Sequence, residues 1–185
     1  MEESEALARL RDGDIAGLEK LVALYQSQAL DVAYIISHDR TLAEDVVQTA
    51  FLRAYERIAQ LRLGSPFGPW FLRSVVNDTL KAVTRSHNVS LDTEALEQSG
   101  HLVSHDRSAY ELIEAAETRE AIWDALDRLS PAQRAAVVMR YYLDLTDTEV
   151  AEALHAPPGT VRRRLHDGRR RLRSLLPAWV LKPQD

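Results

Sequence analysis

The sequence predicts an all-α chain: two helical domains joined by a flexible acidic linker. Three observations carry this. Apolar residues recur at helical spacings of three and four over most of the chain, with no strand-like alternation of useful length. The periodicity stops over Ser86–Ser108, where Ser, Asn, Asp, Gly and His leave no sustained apolar face. It then resumes and ends in a short helix, a Pro/Gly turn and a long basic helix.

Asp12-Gly13-Asp14 ends a short first helix and caps a second. Leu18, Leu21, Tyr25, Ala29, Val32 and Ile36 then form a bundle-type seam. Ser37–Arg40 is a turn, and Thr41 with Glu44 has capping-box spacing. The next helix, about Leu42 to Gln60, puts Val46, Val47, Ala50, Phe51, Ala54 and Ile58 inside. It leaves Glu44, Asp45, Gln48, Arg53 and Glu56 outside. Leu61–Pro66 is a loop that ends in a helix start, with Ser65 as cap and Pro66 in the first turn. Phe67, Trp70, Phe71, Ser74, Val75 and Leu80 carry that helix to about Thr84. At that spacing Trp70 and Phe71 are core residues before they are stacking platforms for bases.

Beyond the linker, Tyr110, Leu112, Ile113, Ala116, Ile122, Leu126 and Leu129 restore helical spacing. Ser130–Gln133 is a capping box with Pro131 at the first helical position. Ala135, Val138, Met139 and Tyr142 give the following helix one apolar face. Thr146 and Glu149 start a short helix whose apolar side is Val150, Ala151 and Leu154. The run His155-Ala156-Pro157-Pro158 breaks it. A second helix begins near Gly159 or Thr160, with Val161, Leu165, Leu172 and Leu175 toward the core. Its outward positions carry Arg162, Arg163, Arg164, Arg169, Arg170, Arg171 and Arg173. Pro177 stops this helix. A capped short helix, a tight turn and a basic second helix make a helix-turn-helix, a motif that lays its second helix in the major groove of DNA.

Composition narrows the function classes. The chain has no cysteine, which excludes disulfides and cysteine-ligated zinc and suits a reducing compartment. No run of about 18 apolar residues suggests a membrane span. The start of the chain is acidic and amphipathic, unlike a secretory signal, so a cytoplasmic location is expected. Of six histidines, only His101 and His105 have helical ligand spacing, and they lie in the linker without an H-E-x-x-H pattern. No phosphate-cradling Gly loop and no Ser elbow occur. No enzyme activity, metal, cofactor or small-molecule substrate is therefore expected.

The net charge of −5 is unusual for a DNA binder, but it is unevenly spread. Pro158–Arg173 holds seven Arg against one Asp, whereas Asp92–Asp127 holds ten acidic residues against two Arg. A globally acidic chain binds DNA weakly by itself, since phosphate attraction supplies most non-specific affinity. A partner that brings it to DNA is expected.

Three blocks then match one family. Leu42–Tyr55 reads LAEDVVQTAFLRAY, Phe67–Asn77 reads FGPWFLRSVVN, and Leu126–Leu165 reads LDRLSPAQRAAVVMRYYLDLTDTEVAEALHAPPGTVRRRL. In this order and spacing the chain resembles an extracytoplasmic-function (ECF) sigma factor of bacterial RNA polymerase. The resemblance implies a region-2 domain at 1–86, a linker at 87–108, a region-4 helix-turn-helix domain at 109–177 and a tail at 178–185. It implies that the Leu42–Arg57 helix docks on the clamp helices of the polymerase largest subunit through Glu44, Asp45, Gln48, Phe51 and Arg53, with a further polymerase contact at the flap region. Phe51 is a core position first, and Asp45 and Gln48 are the better interface residues.

It implies reading of the promoter −10 element by Leu63, Ser65, Trp70, Asn77, Lys81 and Arg85. It implies gripping of the −35 element by Thr160, Arg162, Arg163, Arg164, Arg169 and Arg170, with Arg164 the first choice for a base contact. An anti-sigma factor is an implied partner. Two departures from the family pattern stand out. Basic charge after Asn77 is thin, and Asp167 sits where Arg is frequent; pairing with a neighbouring Arg along the helix accounts for the Asp. The rival readings are a homodimeric helix-turn-helix regulator and a sigma-like adaptor that titrates an anti-sigma factor.

Overall fold

The computed structural model describes residues 2–89, 109–178 and 180. The chain divides into two compact units, Met1–Gln98 and Ser99–Asp185. Every regular element among the described residues is helical.

The first unit holds α1 (Glu2–Arg11), α2 (Ala16–Ser37), α3 (Arg40–Arg57, followed by a 3₁₀ turn at Ile58–Gln60) and α4 (Phe67–Val89). Its centre is aromatic. Phe67 and Phe71 are fully buried, and Phe71 lies 4.3 Å from the Phe51 ring and 5.1 Å from Phe67. Leu21, Ala29, Val32 and Ile36 of α2 and Val46, Val47 and Ala50 of α3 close around them, as their spacing predicts. α1 sits so close to α2 that a Cβ at Gly17 would stand 2.4 Å from the Ala6 carbonyl oxygen.

The helix starts differ from expectation in instructive ways. At the start of α2 the residue before the helix is Ile15, which offers no side-chain cap; Asp14, one position further out, accepts from the Ala16 N–H through Oδ1 at 3.0 Å. For α3 the cap is Asp39, not Thr41; its carboxylate accepts from the Leu42 N–H at 3.0 Å. A carboxylate in extended backbone one residue before the helix is the stronger acceptor for these free N–H groups. Glu44 is left to pair with Arg40 at 2.9 Å. α4 starts at Phe67, so Pro66 precedes it, and the Phe67 N–H is taken at 2.9 Å by Glu3 of α1. The helix also runs five residues past Thr84, to Val89, into the stretch read as linker. The rest of that linker, 90–108, lies outside the described residues.

The second unit holds α5 (Ala109–Asp127), α6 (Pro131–Val137, continued by a wide π turn at Val138–Tyr142), α7 (Asp147–Ala153) and α8 (Pro158–Leu175). Both predicted capping boxes are present with both bonds, Ser130/Gln133 and Thr146/Glu149. Ala135, Val138, Met139, Val150, Val161 and Leu165 form the core with Ala125 and Leu129 of the α5 end. Three residues expected inside are exposed: Ile122 at 38%, Tyr142 at 44% and Leu175 at 39%. For Tyr142 the cause is the π turn, where the Leu143 N–H reaches back to Val138 O at 3.0 Å and the side-chain phase slips. Leu175 is the last residue of α8.

α7 does not end at proline. His155 takes a left-handed conformation (φ 47°), its N–H donates to Glu152 O at 3.2 Å, and the Ala156 N–H donates to Ala151 O at 3.0 Å. That is a complete Schellman closure with His in the place glycine usually takes. Pro157 then caps α8, which starts at Pro158, a residue earlier than expected.

Candidate nucleic-acid interface

The helix-turn-helix presents its charge through simple phase. Val161, Leu165 and Gly168 lie on the buried side of α8. Gly168 is there because a Cβ would stand 3.3 Å from Val137 Cγ2, so α8 and α6 touch at this point. The spacing of 161, 165, 168 and 172 marks Gly168 as a core position, a signal that the apolar pattern alone misses.

Opposite lies a solvent-facing stripe containing Arg163 and Arg170, flanked by Arg162, Arg169 and Arg173, all exposed. The Arg163 side chain is 86% exposed, while Arg164 is half-buried beside the core. Arg163 therefore outranks Arg164 as the projecting side chain. Asp167 pairs with Arg163 at 3.7 Å and meets His166 Nδ1 at 3.3 Å, as the intrahelical pairing predicts. Arg169 donates from Nε to Leu165 O at 3.3 Å, and Thr160 is half-buried in the first turn.

In the first unit, Glu44, Asp45, Gln48 and Arg53 are all exposed on α3. Phe51 is not: it is 6% exposed and packs on Phe71, so it anchors the helix from within and cannot meet a partner directly. Leu52 and Tyr55 add exposed apolar surface to the same helix at 57% and 38%.

A groove runs between α3 and α4, with Asp45 and Arg53 on one wall and Asp78, Lys81 and Arg85 on the other. Asp78 joins the walls, with an oxygen 2.7 Å from Arg53 Nη1 and another 3.9 Å from Lys81 Nζ. The groove thus brings residues of two separately predicted surfaces together. Sequence reasoning missed Asp78; its spacing to Lys81 is visible, but its bond to Arg53 spans 25 positions.

At the N-terminal end of α4, the loop from Leu61 turns back on itself through the Ser65 N–H to Arg62 O bond of 3.1 Å, with Gly64 at φ 80°. Only glycine takes this φ without strain. Leu61 is buried, Leu63 projects at 88% exposure, and Ser65 is half-buried. Trp70 is half-buried, 5.7 Å from Phe67, whereas Phe71 is wholly inside and is no stacking platform. Asn77 is half-buried, and Lys81 and Arg85 are exposed.

Comparison with known proteins falls on these same two units. Residues 21–88 match the family model described as Sigma-70 region 2, and residues 119–172 match Sigma-70, region 4. The chain belongs to the sigma-70 family, in its ECF group. It is 27% identical over 176 residues to the ECF RNA polymerase sigma factor SigW of Bacillus subtilis, covering 92% of this chain and 94% of that protein. It is 28% identical to the ECF RNA polymerase sigma-E factor of Escherichia coli K12, covering 87% of each. In fold it is similar to the sigma factor RpoE of Bartonella quintana, solved with the anti-sigma factor NepR, at TM-score 0.66 and 19% identity over 85% of this chain and 94% of that one. Sigma factors are not enzymes; they direct RNA polymerase core to promoter DNA at initiation. Among the described residues no group of side chains could hold a metal ion, and no helix is long and apolar enough to cross a membrane.

Proposed function

We propose that this sigma factor divides its work as its two units divide its surfaces. The exposed Asp45–Gln48 stripe of α3 docks on the clamp helices of polymerase. The 61–66 loop and the outer face of α4 read the −10 element in the melted strand, with Leu63, Ser65 and Trp70 at the tip and Asn77, Lys81 and Arg85 along the helix. α8 lies in the major groove at −35, where Arg163 and Arg162 reach base edges or phosphates and Arg169 and Arg170 clamp the backbone. Residues 1–86 form the first working domain and 109–177 the second. The α3 stripe carries this reading: polar residues stand out from a helix whose inner face is pinned by Phe51, so it offers a rigid surface.

An acidic chain with one basic helix does not hold DNA tightly alone, so polymerase supplies the affinity and orients both units. The protein works in the cytoplasm, and an anti-sigma factor holds it idle; a sigma factor similar in fold is solved in complex with the anti-sigma factor NepR, which supports this reading. The test is run-off transcription with purified core polymerase on fragments of the source genome, with wild type and with Asp45→Arg combined with Gln48→Ala. Start sites that need the protein and disappear with the double variant are expected. Specific DNA retention without polymerase and without transcripts would point instead to a homodimeric regulator. Anti-sigma binding with neither activity would point to an adaptor.

A further inference from the structure

Helix α1 meets both ends of the 61–66 loop. At its C-terminal end, Arg11 donates from Nη2 to Leu61 O at 2.7 Å and lies 3.4 Å from Arg62 O. At its N-terminal end, Glu3 accepts the Phe67 N–H at 2.9 Å, where the loop becomes α4. The other Glu3 oxygen accepts the Tyr25 hydroxyl, whose ring lies over Gly68 so closely that a Cβ there would stand 2.6 Å from it. Eight residues of helix separate Glu3 from Arg11, about 12 Å, so one rigid element spans the loop.

α1 is itself firmly seated. Ala6, Leu7 and Leu10 are buried, and the close approach at Gly17 fixes its height on α2. The loop between these ties has no such anchor at its tip: Leu63 is exposed, and the space around Gly64 is open.

We infer that Glu3 and Arg11 are positioning residues for −10 recognition: α1 is a brace that fixes the two ends of the reading loop so that its tip meets the DNA in one geometry. Neither residue touches DNA in this account. A flexible loop pays for its own ordering when it binds, and a pre-set one discriminates better because a wrong base is not accommodated by rearrangement. The inference rests on the assignment of the 61–66 loop to −10 reading.

The test uses the full chain with core polymerase on a promoter that depends on this protein, and on versions substituted singly at −10 or at −35. The readout is the ratio of transcripts from parent and substituted templates. Glu3→Ala and Arg11→Ala are expected to lower the −10 ratio about fivefold to tenfold, the net worth of one hydrogen bond. The −35 ratio and competition for core polymerase should stay as in wild type. Glu3→Gln and Arg11→Lys, which keep an acceptor or a donor in place, should restore most of the −10 ratio. Arg9→Ala, which breaks only the exposed pair with Asp14, serves as the control on the same helix.

Should an Ala variant not fold, Tyr25→Phe removes the hydroxyl that holds Glu3 while keeping the packing, and a lowered −10 ratio is expected of it too. An unchanged −10 ratio, or equal loss at −10 and −35, overturns the brace. Leu63→Ala with Ser65→Ala separates the two readings: if that pair also leaves the −10 ratio unchanged, the loop does not read −10, and the brace falls with it.

Discussion

His155 closes α7 in a left-handed conformation that an L side chain adopts at a cost of about 1–2 kcal/mol. It is exposed, so the ring gains little from packing in return. His155→Gly is therefore expected to stabilise the second unit by about 1 kcal/mol, read as a higher urea midpoint with unchanged slope. Tyr25 makes a second residue-scale prediction. Burial first, then the hydrogen bond to Glu3 and its charge, push the Tyr25 hydroxyl up to about 12 from 10.0. A raised folded value means the contribution to stability is complete below pH 10 and is lost as pH rises through about 12. Tyrosinate absorbance should show a late-titrating ring that is absent in Tyr25→Phe and shifted toward 10 in Glu3→Gln.

At the scale of elements, α8 balances attraction against an internal charge. Asp167 is one carboxylate on a face of arginines, and its 3.7 Å pair occupies Arg163, whose side chain is 86% exposed. An exposed pair of this kind stabilises the helix by only about 0.3–0.5 kcal/mol, so its removal is tolerated. Asp167→Asn should then leave the melting temperature within a degree or two of wild type and raise −35 retention by the holoenzyme about threefold or more at low salt, with a steeper salt dependence. Arg163→Ala should lower it. The same result with Arg163 and Arg164 exchanged would restore Arg164 to first place.

For the whole molecule, each unit has its own core, aromatic in the first and aliphatic in the second. The chain of dependence within the first unit is continuous: Gly17 seats α1, α1 holds the loop, and Phe51 and Phe71 hold α3 against α4. A fragment ending at 89 contains all of these elements. It is expected to fold by itself and to compete with the full protein for core polymerase, while supporting no transcription that depends on −35. Circular dichroism with a competition assay on core polymerase checks both halves of this statement. A fragment that folds and does not compete would place the polymerase face outside α3.

The sequence by itself determined the helices, most of their inner faces (Ile122, Tyr142 and Leu175 excepted), two of the three capping boxes, the helix-turn-helix and the family. These rest on interactions within four residues, which periodicity and capping chemistry display directly. That Asp167 pairs along the helix belongs to the same class; that its partner is Arg163 is decided by the structure. The tertiary structure alone decided which acceptor starts α4, because Glu3 lies 64 residues from Phe67. It decided that Asp39 outcompetes Thr41, that the π turn rotates Tyr142 into solvent, and that Arg163 projects further than Arg164. It also joined Arg53 to Asp78 and tied Arg11 to the 61–66 loop. The Glu3, Arg53 and Arg11 contacts depend on where a second segment arrives in space, and hydrogen bonds between distant segments leave no period in the chain; the Asp39 cap and the π turn are local choices among alternatives that periodicity does not rank.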